Sequence, residues 1–235
     1  MFSSLDHRRR FEEFMDRPDI EPQFIQTSLR FIRNVNWMLG YTRATVRHLQ
    51  VFSQRWSQGQ TISLLDVATG SADIPMAISQ WARRKSFNVR IVGLDRHSLT
   101  AGQAHERTLG DSKISIVRGD ALSLPFESGS FDYAITNMFI HHLDEADVVQ
   151  VMREMDRVAR RGIIVADLIR NRRAYAWVSF FTLLANRRLR HDARVSVAQA
   201  FSESEMLHLR DQASVGYTRY SRHFAHRFVL AGQKG

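Results

Sequence analysis

The sequence predicts a doubly wound α/β fold built on a mostly parallel sheet. Three observations carry this. Short apolar strand patterns alternate with amphipathic helix patterns from residue 62 to residue 168. The first three strands each run into an aspartate: Asp66, Asp95 and Asp120. Hydrophobic residues make up 44% of the chain, enough for a sheet covered on both faces.

In chain order, residues 1 to 20 are charged and turn near Pro18 and Pro22. Residues 22 to 52 have helical spacing, with Phe24, Leu29, Ile32, Val35, Leu39, Val46 and Leu49 recurring and Gly40 as a break. "ISLLDVA" (62 to 68) is the first strand. "DIPMAISQWARR" (73 to 84) is a helix that Asp73 can cap, with Pro75 tolerated in its first turn. "NVRIVGLD" (88 to 95) is the second strand, and a helix follows near 98 to 107. "KISIVRGD" (113 to 120) and "FDYAITNM" (131 to 138) are the third and fourth strands. Residues 144 to 160 form an amphipathic helix, and "GIIVADL" (162 to 168) is the fifth strand. An arginine-bounded apolar helix or helix pair spans 170 to 190. Ser202 and Glu205 stand at capping-box spacing for a helix over 202 to 213. Two strands near 215 to 222 and 226 to 232, joined tightly around Phe224, pair antiparallel.

Composition narrows the chemistry. Cysteine is absent, which excludes disulfides, thiolate metal sites and cysteine nucleophiles and fits a reducing cytoplasm. The polar, basic start "MFSSLDHRRRF" does not read as a signal peptide. The most apolar later stretch, 174 to 185, is too short to span a bilayer. Net charge is +9, and only Lys85, Lys113 and Lys234 of the 33 basic residues are lysine. The arginines are scattered and accompany no nucleic-acid motif, which argues against a nucleic-acid partner.

The turn after the first strand, "ATGSA" (68 to 72), holds one glycine, Gly70. A dinucleotide fingerprint needs three, and no Gly-Lys-Ser/Thr of a phosphate loop follows. The small residues leave room for an adenosine or an amino-acid tail. Asp95, 25 residues beyond Gly70, falls beside the first strand's end, where its carboxylate can accept both ribose hydroxyls. Asp120 can receive an exocyclic amine, with Ala121 supplying a backbone contact.

Strand–"DVATGSA"–helix, then "GLD", "GDALSLPF" and "FDYAITNMFIHHL", resembles the class I S-adenosylmethionine-dependent methyltransferases. The similarity is greatest to the small-molecule branch that includes the ubiquinone and menaquinone biosynthesis methyltransferases. It covers residues 60 to 170. It implies a Rossmann-like, seven-stranded sheet with a reversed last strand, a helical N-terminal cap over 1–55 and a methyltransferase domain over 56–235 with a lid insertion at about 170–195. Ala68 and Ala72 depart from the family's usual glycines. The resemblance implies S-adenosylmethionine as cofactor and S-adenosylhomocysteine as product. Asp66, Ala68, Thr69 and Gly70 would border the methionine moiety, Asp95 the ribose, and Asp120 with Ala121 the adenine. Asn137 and Met138 would floor the sulfonium. Arg96 could cover the adenine, and Arg43 could reach the cofactor's carboxylate. The stretch 34 to 49 resembles the cap helices of a bacterial subgroup tied to polyketide metabolism.

Methyl transfer from a sulfonium is an in-line displacement in which opposite charges cancel, so a dry pocket favours it. A phenol acceptor, with a pKa of about 10, calls for a base. "FIHHL" offers His141 or His142, with His141 preferred, and His191 beside Asp192 is a second candidate. Tyr175, Trp177, Phe180 and Phe181 could wall an aromatic or lipid-like acceptor. The arginines around them could hold an anionic group or touch membrane phosphates. No histidine or aspartate spacing matches a metal cage, so no metal is expected. The expected reaction moves a methyl group to an oxygen or carbon of a small aromatic, polyketide-like or quinone-like acceptor. Two alternatives stand beside it: an RNA or DNA methyltransferase, and a non-catalytic cofactor-binding regulator or partner subunit.

Overall fold

The computed structural model describes residues 5, 7, 8, 13, 14, 21, 23, 24, 27–31, 33, 40–183 and 185–235. The expected cap residues Ile32, Val35 and Leu39 lie outside them. Described residues between 23 and 33 are helical, and the break at Gly40 stands with φ of 76° at the N-cap of α1, Tyr41–Phe52. β1 is Thr61–Val67, α2 Asp73–Arg84, β2 Asn88–Asp95, α3 Ser98–Thr108, β3 Ile114–Arg118 and β4 Phe131–Asn137. α4 is Glu145–Val158, β5 Ala159–Leu168, α5 Arg172–Phe181, α6 Arg187–Gln199, α7 Glu203–Gln212, β6 Arg219–His223 and β7 Arg227–Gln233.

The seven strands lie in the order β3-β2-β1-β4-β5-β7-β6. β1 to β5 pair in parallel, and β7 runs antiparallel to both β5 and β6. This is the doubly wound α/β sheet with a reversed terminal strand. Successive residues supply opposite faces, because a strand's side chains alternate. Leu65, Ile163 and Leu230 join a core under α4 and α7, with Met152, Met155 and Leu209. Leu64, Ile164 and Val229 join a second core under α1 and α2, with Leu49, Phe52 and Ile78. That is why β1, β5 and β7 read as continuous apolar runs.

Four local expectations need correction. Asp73 does not cap α2: Ala72 is the N-cap, in a left-handed conformation with no side-chain bond, and Asp73 is the first helical residue. Arg107 Nη1 donates to Asp73 Oδ1 at 2.8 Å instead. β3 is shorter than its alternation suggested. It stops at Arg118, and Asp120 forms only an isolated bridge to Ser123. The α4 pattern ran two residues too far, since β5 begins at Ala159. Arg160 and Arg161 both turn to Asp132 of β4, a tertiary pairing that overrides helical spacing. The last strand pair is shorter, starting at Arg219. The capping box at Ser202 and Glu205 is present, and Asp144 caps α4 by accepting from Asp147 N.

Candidate active site

The crevice opens where β1, β2 and β4 end. Its first wall is the turn from β1 to α2, in which Ala68, Gly70 and Ala72 all have positive φ, at 57°, 56° and 59°. Only glycine takes this region without cost. Each alanine pays about 1 kcal/mol or more for it. Thr69 N donates to Leu94 O at 2.9 Å and ties the turn to β2. Asp95 completes the lock: Oδ2 accepts from Gly70 N and Oδ1 from His97 N, each at 3.0 Å. Burial pushes the Asp95 carboxyl up, against these backbone donors.

Asp66 lies beneath, 2% exposed. Thr69 Oγ1 donates to its Oδ2 at 2.6 Å. Burial lifts its carboxyl to about 7; the Thr69 hydroxyl opposes this, and the charges of Asp95 and Asp73 add to the rise. Asp120 stands on the adjacent loop, where its Oδ1 accepts from Leu122 N at 3.0 Å and Arg96 comes within 4.0 Å of its Oδ2. Carboxylates from three neighbouring strands and loops thus share one rim.

The same cavity, of about 950 Å³, continues past Asn137 and Met138 to the turn after β4. There His141 is 2% exposed. Its Nδ1 sits 2.7 Å from Asp167 Oδ1, and its backbone N–H donates to Asp167 Oδ2 at 3.1 Å. A carboxylate at Nδ1 keeps the proton there and leaves Nε2 as the acceptor. Glu13 Oε1 lies 3.9 Å from that Nε2. Trp177, Val178 and Phe181 of α5 and Leu189 and Val197 of α6 form apolar walls.

The tertiary structure brings Asp66, Ala68, Thr69, Gly70, Asp95, Arg96, Asp120, Ala121, Asn137, Met138, His141, His142, Trp177 and Phe181 around one space. Four expected residues fall outside its lining. Arg43 is exposed on α1, and Thr45 of that helix reaches the site instead, its hydroxyl donating to Asn137 Oδ1 at 2.6 Å. His191 Nδ1 does lie 3.3 Å from Asp192 Oδ1, but its half-exposed ring meets Phe14 edge-on and stays outside the cavity lining, which Asp192 joins. Tyr175 and Phe180 lie off the cavity on α5.

Sequence reading missed Asp167 and Glu13. A lone acid at the end of the apolar run "IIVADL" was the available signal for Asp167, the same signal that marked Asp66. Glu13 had none. It also alters the metal expectation: Glu13, His141 and His142 bring ligand atoms within 4.8 Å of one another, the one such group among the described residues. Glu13 Oε1 accepts from Ser196 Oγ at 2.7 Å and from Gln199 Nε2 at 2.9 Å, which, with Asp167 on His141, makes a hydrogen-bond network there.

The rim fits a ligand carrying positive charge, since the negative charges of Asp95 and Asp73 both act on the buried Asp66. It also leaves backbone accessible: a Cβ at Gly70 would meet nothing within 4 Å. Fold and crevice together resemble those of the class I S-adenosylmethionine-dependent methyltransferases. Residues 65–166 match the methyltransferase-domain family model. The demethylmenaquinone methyltransferase of Bacillus subtilis is 31% identical over 98 residues, 42% of this chain and 41% of that one. That of Anoxybacillus flavithermus is 29% identical over 154 residues, 66% of this chain and 57% of that one. The chain therefore spans roughly two-fifths to three-fifths of the length of these relatives. In fold it is similar to a SAM-dependent methyltransferase from Aquifex aeolicus, with a TM-score of 0.64 over 92% of this chain and 99% of that one at 15% identity. Over residues 65–166 the chain is thus similar to methyltransferase domains, the demethylmenaquinone methyltransferases among them.

Proposed function

We propose that this protein transfers a methyl group from S-adenosylmethionine to an oxygen or carbon of a small aromatic, polyketide-like or quinone-like acceptor in the cytoplasm. The observation that carries the reading is one cavity with an acid-lined rim at one end and the His141–Asp167 pair at the other. The similarity to the demethylmenaquinone methyltransferase of Bacillus subtilis supports a quinone-like acceptor.

The bound cofactor supplies an electrophilic methyl group. The chain's own residues do the rest. Asp95, Asp120 and Asp66 hold the adenosyl and methionine parts. Gly70 and the small residues beside it let backbone come close. The walls from α5 and α6 keep water away, which favours a displacement that cancels charge. Asp167 fixes the His141 ring, and Nε2 takes the acceptor's proton as the new bond forms. Carbon methylation of an electron-rich ring uses the same proton acceptor.

Two measurements test this. Titration calorimetry should detect S-adenosylhomocysteine, and a screen of phenols and hydroquinones with labelled cofactor should find an acceptor. With that acceptor, His141→Ala should lower kcat about 10²- to 10⁴-fold and leave S-adenosylhomocysteine affinity nearly unchanged. A chain that fails to bind S-adenosylhomocysteine refutes the cofactor. Full turnover by His141→Ala refutes the base.

A further inference from the structure

We propose that the α5–α6 corner, with the β6–β7 hairpin tip beside it, docks on the surface of an anionic lipid bilayer. Four large apolar side chains crowd this corner and stay in solvent: Phe180 at 68% exposure, Phe181 at 51%, Leu183 at 53% and Phe224 at 72%. The three phenylalanine rings are contiguous through Trp177. Trp177 packs 4.2 Å from Phe181 and 5.9 Å from Phe224, between ring centroids, and Phe180 lies 5.6 Å from Phe181. Isolated exposed apolar residues are ordinary; a cluster with a polar border marks an interaction site.

Charge identifies the partner. Between Asn171 and His191 the chain carries Arg172, Arg173, Arg187, Arg188 and Arg190 and no acidic residue. Arg172, Arg173, Arg187 and Arg188 are exposed. The arginines therefore flank the apolar cluster on both its N-terminal and C-terminal sides. Beside it, a groove lined by Arg172, Arg173, Trp177, Arg222 and Phe224 runs between α5 and the hairpin. Glu203 pairs with Arg222 there, and Arg173 lies exposed on the groove's α5 side. His223 and His226 add little charge at neutral pH, because burial and nearby arginines lower both.

Aromatic tips ringed by arginine match a bilayer of acidic phospholipids: rings enter the headgroup boundary and guanidinium groups meet phosphates. A second copy of this chain would bring the same positive charge against it. Among the described residues no helix is long and apolar enough to cross a membrane, so the contact is a surface one. Trp177 and Phe181 line the active-site cavity as well. The patch thus adjoins the cavity through these two rings, and on the function proposed above it would pass a lipid-like acceptor from bilayer to site.

Vesicle co-sedimentation of the full chain tests the docking, using phosphatidylcholine with and without phosphatidylglycerol. The native chain should bind only the vesicles containing phosphatidylglycerol, and less at high salt. Phe180→Ser with Phe224→Ser should weaken binding about tenfold. Arg173→Gln with Arg187→Gln should weaken it about 25-fold, some fivefold per arginine. Circular dichroism and thermal melts, which need neither cofactor nor acceptor, should show both variants folded. Failure of the native chain to bind anionic vesicles overturns the proposal. So does equal binding by native chain and variants. A native dimer in sedimentation velocity that the phenylalanine variant loses would assign the patch to a second copy and overturn it too.

Discussion

Replacing Asp66 with asparagine should change how stability depends on pH. The side chain is 2% exposed, and burial raises its pKa from 3.8 to about 7. At about 1.4 kcal/mol for each tenfold change in proton affinity, that rise is worth about 4 kcal/mol. The direction follows from proton counting. Between about pH 4 and pH 7 the folded chain keeps the Asp66 proton and the unfolded chain has released it. Stability from this group is therefore fully present below about pH 4, falls as pH rises through the window, and levels off above about pH 7. Asparagine preserves the shape and can still accept the Thr69 hydroxyl bond, but it does not titrate. Urea denaturation of both proteins at a series of pH values gives the difference directly. Relative to the native chain, Asp66→Asn should gain about 4 kcal/mol on going from pH 4 to pH 8. Asp95→Asn, which removes a neighbouring charge, should move the midpoint of this change downward. A difference that stays flat across the window would refute the claim that burial holds a proton on Asp66.

Three further outcomes follow from the structure. Asp132 is fully buried and accepts from Ser63 N at 2.8 Å and from Arg160 Nε and Nη2 at 2.9 and 3.0 Å. Asp132→Ala should cost about 3 kcal/mol in urea denaturation by stranding those donors, and a loss below about 1 kcal/mol would count against it. Thr45→Val removes the hydroxyl that orients Asn137, whose Nδ2 is buried without a protein partner. It should weaken ligand binding or turnover about five- to tenfold, with Thr45→Ser restoring it; an equal defect in Thr45→Ser would point to packing instead. A Cβ on Gly162, at φ of 157°, would come within 2.1 Å of Gly232 O on β7. Gly162→Ala should therefore shift the denaturation midpoint by the equivalent of about 3 kcal/mol or more, and an unchanged midpoint would show that β5 and β7 can separate at little cost.

The site was half legible before folding. The three rim acids follow strand patterns, and a parallel sheet gathers strand ends at one edge, so local periodicity was enough to group Asp66, Asp95 and Asp120. The β1–α2 turn was legible too, but the positive φ at Ala68 and Ala72 was not, because alanine carries no mark of a left-handed backbone. His191 beside Asp192 looked like a pair and is one, at 3.3 Å, but its half-exposed ring lies outside the cavity lining, which adjacency could not reveal.

His141 found its partner 26 residues away. That contact exists because β4 and β5 pair in parallel with Asn137 opposite Ala166, which carries the turn just beyond β4 to Asp167 near the end of β5. Strand positions, the parallel character of the sheet and the acid rim were written in short-range patterns, since alternation and turn chemistry are local properties of a chain. Which histidine has a carboxylate behind it, which arginines leave the site, and which aromatic rings stay in water depend on distances between remote segments, and only packing sets those.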